Sequence, residues 1–264
     1  MISKKDFYSI LQEVDSIANK YNPGCNSYFN SKLYTEGIRR DFNVILRYFS
    51  GNSDKKMLDF GCGTGFLAVL LSRFFKKCHG VDVDFETDKI FGASRSNVEI
   101  RKQDYLNRKI WKEYEKRYKI IFNDYNGKKL LYPENYFNGI IAHGVIEHIA
   151  EDLLEEIIKE LFRVLDIGGI LFIFKTPRDQ SYTERIKRSH EKLMNEKELS
   201  ALLQSHGFKI LELYRVDILP EFYPFGFQRI INFLTPVIFS IQNLLDKSPI
   251  NFLCHNMVII AKKY

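Results

Sequence analysis

Between residues 57 and 66 the chain reads MLDFGCGTGF, a short apolar run followed by three glycines on alternate positions. No other stretch narrows the fold as much. Glycine weakens regular structure, so Gly61, Gly63 and Gly65 mark a turn that needs positive φ or a close approach to the backbone. The apolar residues before the turn suit a strand, and FLAVLLSRFF after it suits a helix. A strand, tight turn and helix in this order open a βαβ unit, with the turn at the carboxyl edge where ligands bind.

The chain continues in the same alternation. KCHGVDV, YKIIF, NGIIAH, GILFIFK, FKILELYRV and HNMVIIAKK read as further strands, which makes seven with KMLDF. NGIIAH and GILFIFK are almost wholly apolar, and the amphipathic AEDLLEEIIKELFRVL lies between them. Such strands, separated by helices, predict an α/β fold with a doubly wound, mostly parallel sheet covered on both faces. NEKELSALLQSHG predicts another helix, with Asn195 as N-cap, Glu198 at the capping-box position and Gly207 as the stop. Two helices precede the first strand. KKDFYSILQEVDSIANKY puts Phe7, Ile10, Leu11, Val14 and Ile17 on one face, and SKLYTEGIRRDFNVILRYF follows the break YNPGCNS. The expected organisation is a helical cap over 1–50, a core over 51–215, and a hydrophobic helical lid with the last strand over 216–264.

The chain has 264 residues, 45% hydrophobic and 27% charged, which suits a globular fold with a sizeable core. Lys and Arg number 39 against 33 Asp and Glu, and the signs are interspersed. A net charge of +6 spread in this way is a mild bias and does not point to nucleic acid. Cys25, Cys62, Cys78 and Cys254 form no C-x-x-C pair and have no His cluster at zinc spacing, so no metal is expected. The opening MISKKDFYSI has no long apolar run. A reduced, cytoplasmic setting fits these features. The uncharged run from Ile230 to Leu245 is short for a membrane span and contains Asn232, Pro236, Gln242 and Asn243.

Two cofactor classes compete for the glycine turn. A dinucleotide fingerprint has the form G-x-G-x-x-G, but here Phe66 stands where its last glycine belongs. Asp59, two residues before Gly61, is a further departure. A carboxylate at the end of a buried strand needs a cation or hydrogen-bond donors. An ammonium group or the loop N–H groups meet that need. Asp82 ends the second apolar run where either cofactor class places an acid on a ribose diol, and Asp84 is the alternative helix cap.

LDFGCGTG with Asp82 downstream, YFNGIIAHGVIEHI, LFRVLDIGGILFIFKTP and HEKLMNEKELSALLQSHGF occur in this order. Together they resemble the class I S-adenosylmethionine-dependent methyltransferases, in particular the small-molecule subgroup that includes quinone-biosynthesis enzymes. The resemblance covers roughly Lys55 to Phe208. It implies a seven-stranded sheet whose last strand is antiparallel. It also implies that Asp59, Phe60 and the loop Gly61, Cys62, Gly63 and Gly65 hold the methionine part of S-adenosylmethionine. Asp82 then binds the ribose, Val83 flanks the adenine, and His143 stands near the methionine part. For the adenine amino group, Asp104 and Asp124 are alternatives. Asp124, with Tyr125 beside it, is preferred because YKIIF makes a better buried strand than NVEIR, which leaves DYLNRKIWKEYEKR as an inserted helix, basic outside. Asn138 replaces a usual Asp, and LDIGG replaces a usual Lys-Pro-Gly-Gly turn.

A methyl transfer needs a base only if the acceptor must lose a proton. His143, Glu147 and His148 are the candidates, with His190 either an exposed loop residue or a contact near the substrate opening. Adjacent helical residues diverge, so Glu147 and His148 make a poor shared metal site. The acceptor is expected to be a small molecule, hydrophobic or lipid-like in one reading. The aromatic segment 218–246 suits a lid, a partner interface or a peripheral membrane contact, although it lacks the basic polar face of a membrane-lying helix. An RNA or protein methyltransferase and a non-catalytic cofactor-binding protein remain alternative readings. The segment HGVI after the fourth strand is not the N-P-P-Y type used on base amino groups.

Overall fold

A computed structural model describes residues 1–49, 53–83, 97–179, 193–219 and 225–264. His190 and Asp84 lie outside the described residues, as does most of the segment PRDQSYTERIKRSH. Among the described residues seven strands form one sheet: β1 (Lys56–Phe60), β2 (Lys77–Val83), β3 (Ile120–Tyr125), β4 (Phe137–His143), β5 (Leu165–Pro177), β6 (Phe208–Val216) and β7 (Asn256–Lys263). Their spatial order is β3-β2-β1-β4-β5-β7-β6. β1 to β5 pair in parallel, and β7 runs antiparallel between β5 and β6, as the family resemblance implies.

Helices cover both faces: α1 (Lys4–Tyr21), α2 (Lys32–Tyr48), α3 (Phe66–Ser72), α4 (Asn97–Arg117), α5 (Glu151–Val164), α6 (Glu196–Ser205) and α7 (Phe225–Leu245). Alternate residues of the central strands feed two separate cores. Ile141, Phe172 and Phe174 join Phe7, Val14, Phe42 and Leu70 on the side of α1 to α4. Ile140, Leu171 and Ile173 join Ile158, Leu161 and Leu199 on the side of α5 and α6. Both faces are dry, so the strands read as continuous apolar runs rather than alternating ones. The N-terminal helices share the first of these cores with the sheet.

Local signals account for the ends of the elements. Ser3 and Ser31 cap α1 and α2 through their side chains. Asn195 and Glu198 form the expected capping box on α6. NVEIR begins helix α4 and YKIIF supplies β3, so Asp104 falls within a helix and Asp124 at the end of the third strand. β5 begins four residues before the run GILFIFK. Leu165 pairs with Phe137 while Ile170 pairs with Gly139, so the LDIGG segment bulges out between two ladder contacts. Asn138 ties this edge together, because its amide accepts from the Lys56 N–H and donates to Asp166, each at 3.1 Å.

Candidate functional site

The glycine turn is held from four sides. Gly61 and Cys62 both donate their N–H to the Val81 carbonyl of β2, at 2.8 and 2.9 Å. Gly63 N–H donates to Asp82 Oδ2 at 2.5 Å, and its carbonyl accepts from the Trp111 indole of α4 at 2.9 Å. Thr64 Oγ1 donates to Asn26 Oδ1 at 3.1 Å, and Tyr28 donates to the same oxygen at 2.9 Å. Gly65 has φ +87°, and a Cβ there would lie 2.7 Å from the Phe122 ring; a Cβ on Gly61, at φ +72°, would lie 2.5 Å from Val145. The glycines are therefore required by backbone angle and by packing together.

Asp59 occupies the floor. It is 2% exposed, and its Oδ2 accepts the Ala68 N–H of the first turn of α3 at 3.0 Å. Burial raises its pKa; the Ala68 bond opposes this and the nearby Asp82 adds to it, so the carboxyl is pushed up to about 8. The loop thus has a buried carboxyl on one side and a second carboxylate on the other. An ammonium group that enters the loop finds in Asp59 a carboxyl able to ionise against it, which fits the amino-acid end of S-adenosylmethionine, while Asp82 suits the ribose of either cofactor class.

Asp59, Gly61, Cys62, Gly63 and Thr64 line one cleft with Phe66, Leu67 and His143, and the cap contributes Tyr28, Tyr34 and Ile38. The cleft encloses about 640 Å³ of empty space, its open mouth included. Cys62 is a free thiol whose pKa burial drives well above the ordinary value, so it serves as wall and not as nucleophile. His143, at the end of β4, has its Nε2 3.5 Å from Asp41 Oδ2 of α2. Burial favours a neutral Asp41, but the Arg40 guanidinium and the His143 contact outweigh it and hold the carboxyl below its usual range. Arg40 Nε lies 3.0 Å from Asp41, and its Nη1 lies 3.0 Å from Asp217 beyond β6. Asp217 also accepts from Lys175 of β5, Gln242 of α7 and Asn256 of β7, at 2.8 to 3.0 Å. A buried polar web thus ties the cleft wall to the far end of the sheet.

The other anticipated residues fall in three places. Asp82 and Asp124 are register partners at the ends of β2 and β3, next to the cleft but not among its lining residues. Asp82 Oδ1 also accepts the Val83 N–H at 2.8 Å, and Asp124 pairs with Arg108 at 2.5 Å. Phe60 and Tyr125 pack edge to face in the core of the opposite sheet face, so neither side chain reaches the cleft. Glu147 is buried and lines a separate, small cavity with Thr176, Pro177 and Met194, while His148 is exposed. Of the three candidate bases, His143 lines the cleft and Glu147 and His148 do not. The short 3₁₀ turn Ile146–His148 sends neighbouring side chains in different directions, and only His143 enters the cleft. Tyr28, Tyr34, Ile38 and Asp41 did not stand out in the sequence. The signal present was the pair Glu36 and Asp41, two acids within the buried stripe of α2.

Comparison with known proteins agrees with this geometry. The methyltransferase domain family matches residues 34–213. A malonyl-[acyl-carrier protein] O-methyltransferase of Bacillus anthracis is 28% identical over 60% of this chain and 50% of its own length. A ubiquinone biosynthesis O-methyltransferase of Pelagibacter ubique is 27% identical over 65% of this chain and 64% of its own. An S-adenosylmethionine-dependent methyltransferase structure from Archaeoglobus fulgidus superposes with a TM-score of 0.55 at 18% identity, covering 86% of this chain and 94% of that one. The sheet order and the antiparallel last strand are those of the class I S-adenosylmethionine-dependent methyltransferase fold. The chain belongs to the methyltransferase domain family, and it spans half to two thirds of the length of these curated relatives.

Proposed function

We infer that the chain methylates a hydroxyl of a small molecule with an apolar body, using S-adenosylmethionine. One observation carries this reading: the buried Asp59, the glycine turn and His143 meet in a single cleft whose remaining wall is apolar and aromatic. Bound S-adenosylmethionine supplies a methyl group made electrophilic by the sulfonium. Asp59 and the glycine turn would hold its amino-acid end, and Asp82 lies at the strand end suited to its ribose. Tyr28, Tyr34 and Ile38 close the cleft from the cap side, which excludes water and confines the acceptor. His143 lines the cleft with its Nε2 3.5 Å from Asp41 Oδ2, which places the imidazole at the wall as the candidate base for a proton from the acceptor hydroxyl. Two relatives are named as O-methyltransferases, which supports oxygen as the acceptor atom.

The test is transfer of a labelled methyl group from S-adenosylmethionine into cell extract, followed by separation into lipid-soluble, small polar and macromolecular fractions. Label is expected in the lipid-soluble or small-molecule fraction, released by reagents that cleave methyl ethers. His143→Ala should lower kcat by about 10²-fold or more with cofactor affinity nearly unchanged. Label confined to RNA or protein refutes the small-molecule reading.

A further inference from the structure

Helix α7 is mounted inside out. Asn232, Thr235 and Gln242 face the protein. Asn232 donates to the Asn30 carbonyl at 2.6 Å and accepts the Lys32 N–H at 2.9 Å. Thr235 is buried, and Gln242 is buried against Asp217. Its apolar residues face outward: Phe227, Ile230, Phe233, Val237, Ile241 and Leu244 are all exposed, Phe233 by 82% and Leu244 by 72%. Ile250, Phe252 and Leu253 in the turn that follows carry the patch around the helix end. Six large side chains, each exposed by about half or more, present on the order of 600 Å² of apolar surface before that turn is added, at or above the largest patch of an ordinary monomer.

We propose that this face docks on the surface of an anionic lipid bilayer. The charge distribution favours that occupant. Arg229 is the one charged residue of α7, and exposed Lys247 and Lys32 flank it, while the acid at its end, Asp246, is turned inward and 9% exposed. Among the described residues the charges placed at the rim are therefore cationic, and the helix sequence itself carries no acid. The basic polar face of an ordinary interfacial helix is missing because that side of α7 is bonded to the start of α2 and to Asp217. A second copy fits less well. A helix pair needs a narrow seam and charged flanks that set register, whereas this patch broadens into the 249–253 turn and has Pro236 inside its helix. No helix among the described residues is long and apolar enough to cross a membrane, so α7 lies in the interface plane. α7 packs on α2, which also supplies Tyr34 and Ile38 to the cleft, so a docked lipid surface stands one helix away from the cleft wall.

This inference stands apart from the methyl-transfer reading, because its test requires no turnover. The full chain is sedimented with vesicles of phosphatidylcholine alone and of phosphatidylcholine with phosphatidylglycerol. It should partition onto the anionic vesicles, less so in high salt. Phe233→Asp and Leu244→Asp should each lower partitioning about tenfold or more, which corresponds to at least about 1.4 kcal/mol. Because both side chains point to solvent, the unfolding midpoint should stay close to that of the parent, which separates lost docking from lost fold. Equal partitioning of parent and variants overturns the proposal, as does absence of binding. Absence of binding by a chain that sediments as a dimer and dissociates on Phe233→Asp assigns the face to a second copy instead.

Discussion

Replacing Asp59 by asparagine should stabilise the free protein, and by an amount that grows with pH. The folded carboxyl is pushed up to about 8 by burial, whereas an ordinary aspartate titrates at 3.8. The folded state therefore holds a proton that the unfolded state releases. Its full stability is present below about pH 4 and is lost as pH rises toward 8, at about 1.4 kcal/mol per pH unit. The substituted asparagine cannot ionise, and its amide oxygen can still accept the Ala68 N–H. The stability gap between variant and parent should then widen by roughly 2.7 kcal/mol between pH 5 and pH 7. Urea unfolding of both proteins at pH 5, 6, 7 and 8 measures it, compared where each transition is two-state. The same carboxyl should ionise when an ammonium group arrives. Titration with S-adenosylhomocysteine at pH 7, in buffers of different ionisation heat, should show release of about one proton by the parent and none by the variant. A gap that stays constant across this pH range refutes the argument, because Asp59 would then already be ionised in the free protein.

Three further outcomes follow from the site. Gly65→Ala should destabilise the protein by roughly 2–4 kcal/mol in urea unfolding, because a methyl group there meets Phe122 in a left-handed backbone. Asp82→Ala should remove the acceptor of the Gly63 N–H and weaken S-adenosylhomocysteine binding by about tenfold or more in calorimetry; unchanged affinity removes Asp82 from the ribose site. Asp217→Ala should lower stability by about 3–5 kcal/mol at pH 7, since it removes the carboxylate that buried Lys175 shares with the half-buried Arg40. Burial opposes ionisation of Asp217, but Arg40 and Lys175 hold its pKa far below the usual carboxylate range, so its contribution is present above about pH 4 and fades below it. The variant's deficit should therefore shrink in acid.

The parts legible in the sequence are those specified locally. Three glycines between an apolar strand and an apolar helix leave few conformations, and Asp59 before them already demanded a cation or a donor. Choosing β3 decided between Asp104 and Asp124, because a run such as YKIIF buries better than NVEIR. The cap residues were illegible for the opposite reason. Tyr34 and Ile38 reach the cleft only through packing of α2 against the sheet, and Asp41 meets the cleft residue His143 across about a hundred residues of chain. The segment HGVIEHI offered three candidate bases, and the 3₁₀ turn Ile146–His148 sends them apart, so that only His143 lines the cleft. α7 was recognisable as apolar, but which of its faces turned outward depended on what Asn232 and Gln242 could bond.

The placement of β7 bears on how the molecule is made. β6 is synthesised first but has no hydrogen bond to β5; β7 lies between them and bonds to both. On a ribosome, therefore, β6 emerges beside a half-built sheet that offers it no strand to pair with until about forty more residues have been translated. In that interval β5 and β6 each present an open edge, and a chaperone or another nascent chain can reach either one. A nonsense or frameshift lesion near residue 255 would make that interval permanent. Its product would keep the glycine turn intact and still be a substrate for degradation.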